Sequence, residues 1–340
     1  MTAVRQGKIY SRNRVELGTA VPLEVPFSVQ IDICSACNMK CSFCFHSDPE
    51  AISQANIKFG VMTYELFCKI IDDMKHQWKQ NGKIVKKLRL FKVGEPLLHP
   101  QLCEMVQYAK EAGVAECIEI TTNGTLLNEN LSKKLIQAGL DILNISINGI
   151  NEEQYRTVCQ YNLNFREFQK QIKYFFDRRQ QCKVFLKYSD IGYSQKEKDQ
   201  FYQLFENCCD EIFVETISSS LWQDTNVASK ITGSQKGTYG QELKEKKVCP
   251  FLFTTMVIND QGIVHLCCVD WKCQYLLGDL KRDRIADIWN GDKLRTYQCI
   301  HLKTGKSNIE ICRDCESLSA NTIDDLDQYT DEILKRMGEL

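Results

Sequence analysis

Apolar residues recur along the first two thirds of this chain with two alternating periods. Short runs rich in β-branched and aromatic residues read as strands: FSVQIDIC (27–34), KKLRLFKV (86–93), CIEITTN (117–123), ILNISIN (142–148), KVFLKYS (183–189) and EIFVETIS (211–218). Between them the period lengthens to that of amphipathic helices, near 63–80, 100–113, 128–139, 151–159, 165–180 and 194–209. Ser194 with Glu197 three positions later marks a capping box at the start of the last helix. Strands separated in this way by helices require parallel βαβ units. The expected fold is therefore α/β, a partial (β/α)6 TIM-like barrel over residues 27–218, preceded by an N-terminal segment at 1–26. A doubly wound open sheet is the alternative topology.

The pattern breaks after Ser218. Residues 219–248 are polar and rich in Ser, Thr, Gly and Lys, and read as a linker or surface segment. Residues 249–320 form a second, smaller unit with a hairpin-like TTMVINDQGIVHLCCV followed by helix, and 321–340 close the chain as a helix or tail.

Composition narrows the class. The chain has 340 residues and a formal net charge of −1, so nothing pulls it toward nucleic acid or an anionic membrane. No apolar run approaches the roughly 20 residues that span a bilayer, and the N-terminus lacks the apolar core of a signal peptide. A cytoplasmic protein is expected. Its 18 cysteines cannot then be a disulfide framework, and thiols at short spacing in a reducing compartment point to metal or cluster ligands.

Cys37, Cys41 and Cys44 are spaced C-x3-C-x2-C on the loop after the first strand. Four ligands would close a zinc tetrahedron, whereas three thiolates leave one iron of a [4Fe–4S] cube without a protein ligand. A zinc knuckle that recruits Cys34 is the alternative. The spacing and its place resemble the radical SAM superfamily, in which the open iron chelates S-adenosylmethionine (SAM). Further residues carry the resemblance at strand ends, where a barrel keeps its active site. VGEP (93–96) is similar to the motif that receives the SAM amino group, implying roles for Gly94, Glu95 and Pro96, although Val93 replaces the first of two usual glycines. Asn123 in TTNG ends the third strand. Ser146 and Asn148 end the fourth and resemble groups that bind the SAM carboxylate or ribose. Phe43 holds the position whose backbone meets adenine in relatives.

The second unit places Cys249 18 residues before Cys267, has Gly262 five before Cys267, and ends in Cys312-x2-Cys315. It resembles the SPASM/twitch extensions of radical SAM barrels, and the resemblance implies that these four cysteines fully ligate an auxiliary [4Fe–4S] cluster. Structural zinc suits four thiolates as well. Cys273 and Cys299 are unassigned. Cys68, Cys103, Cys117, Cys159, Cys182, Cys208 and Cys209 read as small buried hydrophobes.

The resemblance implies an enzyme that forms a 5′-deoxyadenosyl radical and takes hydrogen from a carbinol carbon of a small sugar, aminocyclitol or nucleotide sugar. Oxidation of that alcohol, with the auxiliary cluster as electron acceptor, is the leading expectation, and Lys187, Asp190 or Glu215 is the candidate base. Epimerisation with Cys268 as hydrogen donor, modification of a peptide, and a non-enzymatic zinc protein are the alternatives. Only about 25 residues precede the first strand, too few for a separate peptide-recognition domain. A flavodoxin or ferredoxin is the implied reductant, with no nucleic acid or membrane partner.

Overall fold

The six runs with strand period form parallel strands, each laid beside the one before it. The computed structural model describes residues 3–7, 14–217, 222, 224–227 and 236–340. A two-residue edge strand β1 (Val4–Arg5) comes first, followed by β2 (Ser28–Ile31), β3 (Val85–Arg89), β4 (Ala115–Thr122), β5 (Ile142–Ile147), β6 (Lys183–Asp190) and β7 (Glu211–Thr216). The crossovers are α1 (Tyr64–Gln77), α2 (Leu102–Ala112), α3 (Glu129–Gln137), α4 (Glu152–Cys159) with α5 (Phe165–Arg178), and α6 (Gln195–Phe205). Side chains of Thr63, Asn128, Asn151, Asn164 and Ser194 each accept an amide hydrogen of the first turn that follows, which explains why these helices begin where they do. The Ser194–Glu197 capping box is complete.

The sheet order is β1-β7-β6-β5-β4-β3-β2, so strand order never reverses from β2 to β7. A doubly wound sheet needs such a reversal, and the progressive winding is that of a partial barrel. Alternate strand residues divide between two environments. Val29 and Ile31, Ile118 and Ile120, Leu143 and Ile145, and Val184 and Leu186 are buried in the continuous core. The intervening positions are mostly polar, including Gln30, Arg89, Glu119, Asn144, Lys187 and Glu215, with Phe185 and Phe213 among them.

The C-terminal unit extends this sheet. Strand β8 (Thr255–Ile258) pairs in parallel with β2, then β9 (Ile263–His265) and β10 (Leu276–Asp279) continue antiparallel. Position 236 onward departs from the expected surface linker. The Thr216 amide donates to the Thr238 carbonyl at 3.0 Å, Val248 is buried, and the buried Lys246 reaches the Thr322 carbonyl at 2.6 Å. Its polar composition hides these bonds to the end of β7 and to the C-terminal segment. The expected linker residues 219–221, 223 and 228–235 lie outside the described residues. The final segment is helical at Thr330–Met337 and docks through Arg295, whose Nε is 2.8 Å from a Glu339 carboxylate oxygen. Among the described residues no helix is long and apolar enough to cross a membrane.

Candidate cluster sites and barrel inner face

Cys37, Cys41 and Cys44 lie on the loop that leaves β2 at the carboxyl end of the barrel. The loop is held from outside: Lys40 and Ser42 amides donate to the carbonyls of Cys159 and Val158 at the end of α4, at 3.0 and 2.7 Å. Two amide side chains reach the thiols. Asn123 Nδ2 is 4.0 Å from Cys37 Sγ, and Asn148 Nδ2 is 3.8 Å from Cys41 Sγ. Burial pushes Cys37 up to about 12 and Cys44 further. The Cys159 thiol, hydrogen-bonded to Cys41, and burial raise Cys41 as well. Cys159, expected only as core filler, therefore touches the loop. Cys34 points away and donates to the Ala36 carbonyl at 3.6 Å. Thiols whose proton affinity burial raises make a poor thiolate site by themselves, and fit a group whose irons supply the positive charge.

The segment after β3 crosses directly over this loop. A Cβ on Gly94 would run into the Cys34 and Ala36 carbonyl oxygens, so only glycine permits the crossing. The Glu95 amide donates to the Ala36 carbonyl at 2.8 Å. The buried Glu95 carboxylate accepts from Leu97 N at 2.9 Å, Thr122 Oγ1 at 2.5 Å and Asn123 N at 2.7 Å. Burial still raises it to about 7. Glu95 thus ties the end of β3 to the end of β4, and Pro96 opens the short 3-10 turn that follows. The structure uses this carboxylate as a tether, with three internal donors already on it.

Asn148 is buried just past β5. Its Oδ1 accepts from Ser189 Oγ at 2.9 Å, which aims its amide nitrogen at Cys41. Ser146 is half-buried two residues earlier, and Phe43 is half-buried on the loop. Beside them Phe45 packs against Trp271 and Trp222, with ring centroids 4.8 and 4.9 Å away. His46 Nε2 lies 2.9 Å from the Val93 carbonyl. Ring contacts thus join the first loop to the C-terminal unit.

Cys249, Cys267, Cys312 and Cys315 come together beside β8 and β9. Burial and the charge of others in the set raise Cys249 and Cys312, the latter to about 12, and the hydrogen bond with Cys268, then burial, raises Cys267. The Cys249 amide donates to His301 Nδ1 at 3.2 Å. Among the described residues no three cysteine, histidine or acidic side chains stand at single-ion spacing. Four thiolates suffice to ligate an iron–sulfur cube fully. Cys273 faces Asn259 at 3.9 Å and Cys299 lies on the helix Asp292–Thr304 near Glu339; neither joins the four. Cys268 hydrogen-bonds with Cys267, which lowers it to about 7, and it feels the charges of Lys92 and Arg89.

The inner face of the barrel carries many polar side chains beside Phe185 and Phe213, where most barrels pack branched apolar ones. Lys87 pairs with Glu119 at 3.2 Å, and Asn144 Nδ2 donates to the other Glu119 oxygen at 2.8 Å. Lys187 pairs with Glu215 at 2.6 Å. Asp190, the other candidate base, is used differently. Its Oδ1 accepts the Gly192 and Tyr193 amides and its Oδ2 pairs with Lys198 at 2.5 Å, so it closes the turn between β6 and α6. Tyr239 lies against Phe213, with its hydroxyl facing the charges of Glu215, Arg89 and Glu119. Arg89, Lys92, Tyr239 and His265 were not singled out from the sequence. For Arg89 the signal was a polar residue at an inward position of a strand that parallel sheets normally make apolar on both faces.

Comparison with known proteins agrees with this arrangement. The family model described as the radical SAM superfamily matches residues 31–186, and that of an iron–sulfur cluster-binding SPASM domain matches 249–316. The chain is 35% identical over 133 residues to a GTP 3′,8-cyclase of Chlorobaculum tepidum, covering 39% of this chain and only 36% of that enzyme. Among solved structures, BtrN in complex with AdoMet and 2-DOIA superposes with a TM-score of 0.54 at 16% identity, covering 89% of this chain and 95% of that one. SuiB of Streptococcus suis bound to S-adenosylmethionine gives 0.61 at 16% identity, covering 89% and 74%. At such identities these likenesses concern the fold.

Proposed function

We propose, from the premise that this chain belongs to the radical SAM superfamily and carries a C-terminal iron–sulfur domain, that it oxidises an alcohol carbon of a small polyhydroxylated substrate. Its cofactors are a SAM-binding [4Fe–4S] cluster, auxiliary iron–sulfur and SAM; we assign the first to Cys37, Cys41 and Cys44 and the second to Cys249, Cys267, Cys312 and Cys315. When bound, these supply a 5′-deoxyadenosyl radical that abstracts hydrogen and an acceptor for the electron left behind. The chain's own residues then bind the substrate, orient its carbinol carbon and take the hydroxyl proton.

The observation that carries this reading is the inner face itself. Polar side chains from successive strands line it, and the Lys187–Glu215 pair stands on β6 and β7, next in register to Ser146 and Ser189. Glu215 is the acceptor for the hydroxyl proton, and Lys187 holds its carboxylate in place. BtrN, the neighbour solved with AdoMet and 2-DOIA, shares this fold over nearly its whole length. The reductant is a flavodoxin or ferredoxin of the cytoplasm.

Cys268 supports a second reading. Its thiol faces Arg89 and Lys92, where it could return hydrogen to the opposite face of the same carbon and invert it. Anaerobically reconstituted, reduced protein with SAM in deuterated water separates the two. Pools of cyclitols, amino sugars, nucleotide sugars and peptides are followed by mass together with 5′-deoxyadenosine. Loss of two hydrogens in step with deoxyadenosine is expected. Gain of one carbon-bound deuterium would make the enzyme an epimerase, and turnover of peptides alone would refute both readings.

A further inference from the structure

Arg89 is the last residue of β3 and stands in register with Gln30 on β2 and Glu119 on β4, so its side chain leaves the sheet toward the inner face. Two carboxylates of this face are occupied. Glu119 holds Lys87 and Asn144, and Glu215 holds Lys187. Among the described residues the buried Arg89 Nε has no hydrogen-bond partner. Tyr239 and Cys268 both feel its charge, so the guanidinium lies within electrostatic reach of the segment near Thr238 and of the loop after β9.

Two further groups on this face share its condition. Ser28 is 6% exposed and Asn144 is 1% exposed, yet Ser28 Oγ and Asn144 Oδ1 are unpartnered. Both are inward by register, since Ser28 opposes Lys87, and Asn144 opposes Thr121. Buried polar atoms without partners cost free energy unless a ligand supplies the missing bonds. A guanidinium keeps its charge at any physiological pH, and its planar fork matches two oxygens of a carboxylate or phosphate. Asn144 Oδ1 is an acceptor and suits a hydroxyl or ammonium group.

We propose that Arg89 anchors an anionic group, so that the substrate is a small polyol or amino polyol bearing one carboxylate or phosphate. The proposal rests on the reading above in taking the inner face as the substrate site. An anion on Arg89, with the polyol reaching Asn144, would lie along β3, β4 and β5 toward the loop of the first three thiols.

The test uses the full chain, anaerobically reconstituted and loaded with SAM. Calorimetric titration at constant ionic strength is run with inorganic phosphate and, separately, acetate. At least one should bind the natural protein, with affinity falling on the order of 10- to 100-fold in Arg89→Gln, as expected for a charge-assisted pair, and less in Arg89→Lys. The tighter anion names the group. Equal binding to natural and Arg89→Gln protein, or binding of neither anion, overturns the proposal. Mass mapping of phenylglyoxal modification supplies a readout that needs no variant: Arg89 should be protected by the anion and not by chloride at equal ionic strength, and absence of protection overturns it. Turnover of matched pairs of neutral and acidic polyols separates this proposal from the reading beneath it. Oxidation of neutral members alone refutes the anionic anchor and leaves alcohol oxidation standing. Anion binding that depends on Arg89, without any coupled oxidation, upholds the anchor and removes the oxidation.

Discussion

Lys92 Nζ lies 3.0 Å from His265 Nε2, joining the end of β3 to the strand that leads into Cys267. The same ammonium donates to the Asp270 carbonyl at 3.2 Å. His265 is almost fully buried, and burial together with Lys92 keeps it neutral. One cation thus spans the interval between the loop beside the first three thiols and the loop beside the other four. A unit charge roughly 10 Å away at an effective dielectric of about 20 is worth about 2 kcal/mol. Lys92→Met should therefore lower the auxiliary cluster's reduction potential by several tens of millivolts. Spectroelectrochemical titration that finds no difference would assign Lys92 a purely structural role.

Removing Cys37, Cys41 and Cys44 together by substitution with alanine should abolish SAM cleavage and leave about four irons per chain instead of about eight. Cys312→Ala should retain more deoxyadenosine formation than complete turnover. Iron and sulfide analysis, with deoxyadenosine measured beside product, checks both. Cleavage that survives the triple change would refute the assignment of the first site.

The amide of Asn148 is aimed at Cys41 Sγ by Ser189. Hydrogen bonds to charged sulfur are worth about 1.5–3 kcal/mol, so Asn148→Leu should slow SAM cleavage by at least about tenfold and move the first cluster to a lower potential. Ser189→Ala should show the same direction at smaller size, because it releases Asn148 without removing it. A variant series read by electron paramagnetic resonance with redox titration tests the order.

His301 lies fully buried, its Nδ1 accepts the Cys249 amide, and burial lowers its pKa to about 4 from 6.5. The unfolded chain therefore binds the proton first as pH falls, and stability present above pH 6.5 is lost progressively toward pH 4. The loss amounts to about 3 kcal/mol for a shift of this size. Urea unfolding of the cluster-free protein between pH 4 and 7 should show that slope, and His301→Gln should flatten it. An unchanged slope in the variant would place the acid sensitivity elsewhere.

Much of the architecture was legible in the chain. All six strand runs and their crossover helices form where the apolar period changes, and Ser194 with Glu197 closes its capping box. The spacing of Cys37, Cys41 and Cys44 marked the proposed first site, because residues only a few positions apart share a loop. Asp190 misled, since strand-end position alone does not say whether a carboxylate faces the barrel or folds back onto Gly192 and Tyr193. The segment near Tyr239 misled as well, because its burial comes from backbone bonds to Thr216 and Ala320 that polar composition conceals.

By itself the sequence determined the periodic elements, the βα order and the two sets of thiols, because each depends on neighbours within a few residues or on a fixed spacing. Only the tertiary structure decided which charges are left over. Arg89, Glu119, Lys187 and Glu215 are separated by up to 126 residues, and their pairing follows from strand register and side-chain reach. The period-2 pattern places them on one face, but it takes the closed arrangement of β3 to β7 to give Lys187 its Glu215 and leave Arg89 Nε without a partner.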